Sequence, residues 1–289
     1  MIPDSCILLT RGSPLARRQT DLVSQAIREK FPRCSLKTEV LVTTGDKQLE
    51  WSLEKTGGKG LFTSELENAL LAGRGDIAVH SAKDLPTEIP AGLNIIGYLP
   101  RANASDMLVR RENVETPKVI ATGSPRRRTQ ARPYFPNVTF TELRGNVETR
   151  LKKIAAGDAD ASFLAAAGLA RLGIHDWPGL VFEKWGLEKM VPAAGQAAIA
   201  LQIRAADADF FAPICDAATG RAVLIERTFL ARLGEGCHTA FAVHYRNGEV
   251  HIFREDFGRK AFAFDETICG DVAKLTAQVD AIIATLMRS

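Results

Sequence analysis

Residues 77–86 read Ile-Ala-Val-His-Ser-Ala-Lys-Asp-Leu-Pro, and how this stretch folds decides how the chain folds. The apolar run Ile77-Ala78-Val79 leaves Gly75-Asp76 and passes into a polar segment with Lys83 and Asp84, which Pro86 stops from continuing as regular structure. The pattern predicts a buried strand that delivers charges to its C-terminal end. In open α/β sheets ligands bind at that edge, so a lysine beside a carboxylate there marks a candidate site. The same residues also suit a solvated loop with a surface ion pair, and the rest of the chain has to decide.

Upstream, residues 6–10 predict a short strand running into Gly12-Ser13-Pro14. Ser13 caps a helix there, and Pro14 sits in its first turn, where a missing N–H costs nothing. Leu15, Leu22, Val23, Ala26 and Ile27 share one helical face, and residues 36–42 predict another strand. Residues 45–62, with Lys55-Thr56-Gly57-Gly58-Lys59-Gly60, lack the Walker spacing and are expected to form a lid-like loop. Ser64 with Glu67 reads as a capping box for a helix through Leu71.

Downstream, the outline repeats from about Tyr98. A strand over residues 119–122 meets Gly123-Ser124-Pro125, matching Gly12-Ser13-Pro14, and Gly157-Asp158 leads into apolar residues 159–164 as Gly75-Asp76 leads into residue 77. Two matched junctions imply two similar α/β units facing each other across a cleft, with chance agreement of short motifs as the alternative. After Val191-Pro192-Ala193-Ala194-Gly195-Gln196 the character changes. A helix over residues 219–233, three strands near 241–245, 249–253 and 260–264, and a final helix carrying Val272, Leu275, Val279, Ile282, Ile283 and Leu286 predict a small α+β domain. Asn247-Gly248 is a strong hairpin turn within it.

At 289 residues the chain has room for two or three domains. A net charge of only +3 argues against a surface coated in base for nucleic acid. The N-terminal residues show no secretory signal and no apolar run reaches membrane-spanning length, so a cytoplasmic protein without membrane contact is expected. Five cysteines, Cys6, Cys34, Cys215, Cys237 and Cys269, are odd in number and have no paired metal spacing, so neither a disulfide framework nor a zinc site is indicated.

Arginine placement is the strongest local signal. Arg126, Arg127 and Arg128 open a predicted helix, where cations oppose the macrodipole and need an anionic partner, and Arg11 precedes the equivalent junction in the first unit. Arg144-Gly145-Asn146 follows a strand over residues 138–143 and precedes a helix containing Arg150. Guanidinium groups at strand ends grip carboxylates or phosphates through paired hydrogen bonds, so a ligand with several such groups is expected. A solvated basic surface is the alternative; nucleic acid is disfavoured because no aromatics interleave the block. Cys237 sits in a glycine-flanked turn that leaves space around sulfur, although lone cysteines also serve as small buried hydrophobes.

Taken together, Arg11-Gly12-Ser13-Pro14-Leu15-Ala16, Gly57-Gly58-Lys59-Gly60-Leu61-Phe62, residues 79–86, Leu143-Arg144-Gly145-Asn146-Val147 with Thr149-Arg150, and Gly236-Cys237 resemble the porphobilinogen deaminase (hydroxymethylbilane synthase) family, in order and over essentially the whole chain. The resemblance implies two lobes like those of type II periplasmic binding proteins, with mixed sheets, plus a small C-terminal α+β domain. Its boundaries fall at residues 1–97 with 192–215, 98–191 and 216–289. It implies a monomer with a dipyrromethane cofactor on a thioether to Cys237, extended by successive porphobilinogen units with loss of ammonia, and a final hydrolysis that frees hydroxymethylbilane for tetrapyrrole synthesis. Asp84 is then the catalytic carboxylate. Lys83, Ser81, Ser124, Arg126, Arg127, Arg144 and Gly145 are expected around the cofactor, and Arg11, Ser13, Phe62, Arg150, Arg171 and Gln196 around the substrate. The chain departs from the family pattern at Gly123 and Pro125 (usually Ser and Leu), at Glu235 and His238 (usually Gly and Gln) and at Ala197 (usually Gly). A non-catalytic two-lobed binding protein for a small polyanion is the alternative function.

Overall fold

The computed structural model describes residues 4–43, 63–207, 211–234 and 240–288. The lid-like segment over residues 45–62, with Phe62, and the Glu235-Gly236-Cys237-His238 turn lie outside the described residues. In chain order the elements are β1 (Ser5–Arg11), α1 (Pro14–Lys30), β2 (Ser35–Leu41), α2 (Ser64–Leu71), β3 (Ile77–Ser81) and β4 (Leu93–Tyr98). Next come β5 (Asp106–Arg111), β6 (Val119–Ala121), α3 (Pro125–Ala131), β7 (Thr139–Thr141), α4 (Val147–Ala156), β8 (Ala161–Ala165), α5 (Ala166–Arg171) and β9 (Leu180–Trp185). The chain closes with β10 (Ile199–Arg204), α6 (Ala217–Leu233), β11 (Ala242–Arg246), β12 (Glu249–Arg254), β13 (Gly258–Ala263) and α7 (Val272–Leu286). The residues divide into two units, one running through Ala102 and resuming over Ala197–Gly220, the other comprising Asn103–Gln196 and the chain from Arg221.

Each unit holds a five-stranded mixed sheet, and the two sheets have one topology. The first runs β2-β1-β3-β10-β4 and the second β7-β6-β8-β5-β9. In both, the strand in the second position, β1 or β6, lies parallel to its two neighbours, and the fourth position is filled by a strand antiparallel to both of its own. The Gly-Ser-Pro junctions also repeat in detail. Ser13 Oγ accepts from the Ala16 amide at 3.2 Å and Ser124 Oγ from the Arg127 amide at 3.4 Å, with proline in each first turn.

The Gly-Asp match behaves differently. Gly73 (φ 70°) and Gly157 (φ 95°) close α2 and α4 in the left-handed conformation, and the next residue's amide in each case bonds back into the helix, Arg74 to Ala69 and Asp158 to Lys153. Three residues after each glycine stands the structurally equivalent aspartate, Asp76 or Asp160. Asp76 accepts from the Ile7 amide (2.8 Å) and pairs with Arg204 at the end of β10 (3.1 Å). Asp160 accepts from the Lys118 and Val119 amides (2.8 and 2.9 Å) and pairs with Arg111 at the end of β5 (2.6 Å). The repeat is therefore Gly-x-x-Asp, and the pairing of Gly75-Asp76 with Gly157-Asp158 is corrected. Gly75 is small for another reason: a Cβ there would lie 2.4 Å from the Leu9 side chain.

On α1 the buried face carries Gln19, Thr20 and Ser24 beside Val23 and Ile27, while Leu22 and Ala26 are partly buried against the same core. At α2 the N-cap is Thr63, not Ser64, and its side chain makes no capping bond; Glu67 turns inward instead. The small sheet β11-β12-β13 is antiparallel, its first hairpin made by Asn247 (φ 53°) and Gly248 (φ 81°). Phe229 and Ile225 of α6, Val243 and Ile252 of the sheet, and Leu275 and Val279 of α7 form its core. Val272 is 76% exposed because Asp271 caps α7 and leaves the first turn in solvent.

Ala197 is buried at φ 70°, a region costly for a residue with a Cβ. Ala197→Gly is expected to raise unfolding stability by about 1 kcal/mol, read from urea melts, after the extra unfolded-state freedom of glycine is offset.

Candidate active site

The register of β1 and β3, with Leu8 opposite Ile77 and Leu9 opposite Ala78, brings the C-terminal ends of these parallel strands to one edge of the first sheet. Arg11 is the last residue of β1 and Ser81 the last of β3, with the cap Ser13 following directly on β1. Beyond Ser81 a single 3₁₀ turn spans Ala82–Asp84. Ala82 and Leu85, the residue that closes the turn, are buried, and the Ala82 amide is held by the Ala198 carbonyl at 3.0 Å. Burial of these two leaves Lys83 half-buried and Asp84 exposed at the rim. The strand end is gripped on both faces. Ser81 Oγ lies 2.9 Å from the Gln19 amide nitrogen of α1, and the adjacent His80, pointing to the other face, lies 2.9 Å from Gln202 Oε1 on β10. Burial pushes the His80 imidazole down to about 4, against the opposing effect of the Gln202 bond, so the ring is neutral at ordinary pH.

In the second unit the equivalent edge carries Ser124, Arg126 and Arg127 after β6 and Arg144, Gly145 and Arg150 after β7, while Arg171 ends α5. Arg144 is half-buried, 3.3 Å from Glu142, and Arg150 Nε donates to the Gly145 carbonyl at 2.8 Å. Gly145 has φ 118°, and a Cβ there would lie 2.6 Å from Thr149, whose amide and hydroxyl are held by the cap Asn146. The turn is thereby fixed around a residue that can only be glycine. Burial lowers the Arg171 guanidinium to about 10, which leaves it cationic. Gln196 is buried and donates to the Ala104 carbonyl at 2.6 Å. A Cβ at Gly123 would meet nothing within 4 Å, so space is open beside Ser124.

The anionic partner that Arg126 and Arg127 require is supplied by the chain itself. Arg127 Nε and Nη2 donate to Asp106 Oδ1 (2.9 and 2.6 Å) and its Nη1 donates to the Phe163 carbonyl (2.8 Å), occupying three of the five N–H groups. Arg126 Nη1 lies 2.9 Å from Asp106 Oδ2 while directing a hydrogen bond to the Val191 carbonyl (2.8 Å), so its contact with the carboxylate is chiefly electrostatic. All three side chains are buried. Burial works to raise the Asp106 carboxyl, but the two guanidinium groups outweigh it and hold the group well below the usual carboxylate range. Two cations and one anion leave about one net positive charge beneath this edge, less than the arginine count implies. Asp106 gives no local sequence signal, being separated from its partners by a whole strand and turn.

Among the cysteines, Cys6 and Cys34 are buried and Cys215 and Cys269 half-buried. Burial raises all four thiols, Cys215 to about 11, so none is poised as a thiolate. Among the described residues no group of three His, Cys, Asp or Glu side chains is placed to hold a metal ion, and no helix is long and apolar enough to cross a membrane.

Asp106→Asn is expected to cost about 3 kcal/mol near neutral pH, because two buried cations lose their counter-ion. Since the folded pKa is depressed, the carboxylate's contribution is complete above the unfolded value of about 4 and is lost as pH falls through the folded one, so the wild-type and variant denaturation curves should begin to approach each other below about pH 4 and meet only in stronger acid.

A family model described as "Porphobilinogen deaminase, dipyromethane cofactor binding domain" matches residues 7–212. The porphobilinogen deaminase of Syntrophus aciditrophicus is 42% identical over 236 residues, covering 79% of this chain and 76% of the relative. That of Burkholderia thailandensis is 39% identical over 261 residues, covering 87% and 78%. Among solved structures, the periplasmic aliphatic sulphonate binding protein SsuA from Escherichia coli is similar with a TM-score of 0.44 at 14% identity, covering 80% of this chain and 71% of that one. The extent and identity of the first three matches establish that the chain belongs to the porphobilinogen deaminase family.

Proposed function

We propose that this chain works as a porphobilinogen deaminase in which Asp84 is the catalytic carboxylate and Cys237 the attachment point of the dipyrromethane cofactor. The observation that carries the reading is the Ala82–Asp84 turn. Ala82 and the closing Leu85 anchor it in the core, and it presents an exposed carboxylate beside Lys83 on the sheet edge that also holds Arg11 and Ser13. Family membership favours this enzyme over a non-catalytic binding protein. The three-domain division is kept in the proposal, with the five-stranded sheets forming the first two domains and the three-stranded sheet the third, each with its own apolar core.

The donor chemistry of the second sheet edge fits a dipyrromethane. Its acetate and propionate groups match a half-buried guanidinium at Arg144, the N–H groups of Arg126 and Arg127 not taken by Asp106, Phe163 or Val191, and Ser124. That hydroxyl accepts a backbone bond and keeps its own proton to donate. Open space beside Gly123 gives such a group room. When bound, the cofactor supplies the primer onto which pyrrole units are joined.

The chain's own side chains then have distinct tasks. Lys83, Arg11, Ser13, Ser81, Arg150 and Arg171 neutralise and orient carboxylates, Arg171 through a cation kept charged despite burial. Gln196 and Phe62 complete the proposed substrate set; the amide of Gln196 acts from its bond to Ala104. Loss of ammonia leaves positive charge on the porphobilinogen ring, and an acid held near pyrrole nitrogen stabilises that charge and accepts and returns the proton. The exposed Asp84 carboxylate is the group in this turn that can do so. Four thiols raised by burial support Cys237 as the residue that forms the thioether. The small net charge of +3 disfavours a nucleic-acid partner, and a monomer acting in the cytoplasm without membrane contact is kept in the proposal.

Protein produced with porphobilinogen available should show a dipyrromethane mass adduct that disappears in Cys237→Ser; an unmodified wild-type mass would contradict the proposal. Asp84→Ala should keep the adduct while linear tetrapyrrole formation falls about a hundredfold or more, and near-normal product formation would remove Asp84 from this role.

A further inference from the structure

We infer that Gln202 and Glu67 are positioning residues for the Lys83-Asp84 turn, acting through His80; the inference rests on the assignment of Asp84 made above. Three elements of the first unit contribute one polar side chain each to a chain of hydrogen bonds inside the fold. Glu67 of α2 accepts from Gln202 Nε2 of β10 at 3.1 Å, and Gln202 Oε1 lies 2.9 Å from His80 Nε2 of β3. The hydroxyl of Thr63 donates to the other Glu67 oxygen at 3.3 Å. Thr63, Glu67, Gln202 and His80 are all buried, with Leu66, Ala69, Leu70 and Ala78 forming the neighbouring apolar core.

The direction of these bonds is fixed. The amide nitrogen of Gln202 can only donate and its oxygen can only accept, so the bond to Glu67 forces Oε1 toward His80, and His80 must carry its proton on Nε2. A ring flip would leave both Gln202 and His80 with buried, unmatched atoms. His80 is therefore locked, and the next residue, Ser81, is held from the opposite face by Gln19. Two consecutive strand residues pointing to opposite faces, each hydrogen-bonded, fix the backbone where it leaves β3. The turn carrying Lys83 and Asp84 starts at the next residue.

An apolar trio would fill the same volume, and buried polar groups bring little net stability over such packing. What a directional chain adds is orientation, and orientation matters most where a carboxylate must meet a ring nitrogen. Gln202 and Glu67 lie in the core behind the strand end, so they act through His80 rather than on substrate.

The test uses full-length protein from porphobilinogen-supplied cells, comparing wild type with Gln202→Leu, Glu67→Leu, Glu67→Gln and Asp84→Ala. The two leucine variants should keep the mass adduct and a KM within about twofold, while kcat per folded molecule falls about tenfold or more. Amide exchange over residues 82–85 should quicken about tenfold, with β4 unchanged. Glu67→Gln, which keeps an acceptor for Gln202, should stay within about threefold of wild type. Folded Gln202→Leu with normal kcat or unchanged exchange over residues 82–85 would overturn the inference, as would Glu67→Gln as impaired as Glu67→Leu. Where Gln202→Leu does not fold, Gln202→Asn, too short to span both partners, is judged by the same readouts. Normal turnover in Asp84→Ala would sink the assignment of Asp84 and this inference together, whereas a dead Asp84→Ala beside a fully active Gln202→Leu would sink the inference alone.

Discussion

Two aspartates fix how the strands of this protein stand beside one another. Asp76 and Asp160 each accept backbone amides from the strand flanked by two parallel partners, β1 or β6, or from the residue before it, and each pairs with an arginine at the end of the antiparallel strand. Parallel pairing leaves a strand free to slip by two residues without exposing its apolar face, because side chains alternate with period two. A carboxylate that satisfies specific amides removes that freedom. In the first sheet the consequence is that β1 and β3 finish together, so Arg11, Ser13, Ser81, Lys83 and Asp84 collect at one edge. The chemistry proposed for the chain depends on that collection.

Charge at the second sheet edge is governed by burial as much as by composition. Arg126 and Arg127 sit over a carboxylate of their own chain, which supplies counter-charge without a ligand and orders their guanidinium planes. Arg144, half-buried beside Glu142, has no such counter-ion of comparable burial among the described residues. Under the proposed function, the carboxylates of an oligopyrrole meet a framework in which part of the cost of ordering cations has already been met during folding. The open volume beside Gly123 lies at the same turn, so the loss of a hydroxyl there relative to the family pattern is a loss of one donor rather than of the turn itself.

Most local signals are legible in the sequence, the Ser64-Glu67 cap excepted, and long-range pairing is not. Ser13 and Ser124 as caps, the Asn247-Gly248 hairpin and the exit of β3 at Ser81 all follow from residue types acting within a few positions of themselves. The contact of Asp106 with two arginines, the inward turn of Glu67 and the burial of Gln19 and Gln202 follow from tertiary neighbours, and a polar residue on an amphipathic pattern reads as surface until its partner is known. The repeat is legible but its alignment is not, because Gly75 and Gly157 are both followed by aspartate for unrelated reasons: one glycine makes room for Leu9 and the other closes a helix. The residues of the site on the lid-like segment and at Cys237 entered through resemblance to a family, not through periodicity or spacing.

A crystal structure of protein purified from porphobilinogen-replete cells would test the central claim most directly. The account predicts the Asp84 carboxylate at hydrogen-bond distance, about 3 Å, from a pyrrole nitrogen of a group bonded to the sulfur of Cys237. Asp84 turned to bulk solvent, with another side chain facing the pyrrole nitrogens or another cysteine carrying the group, would contradict it.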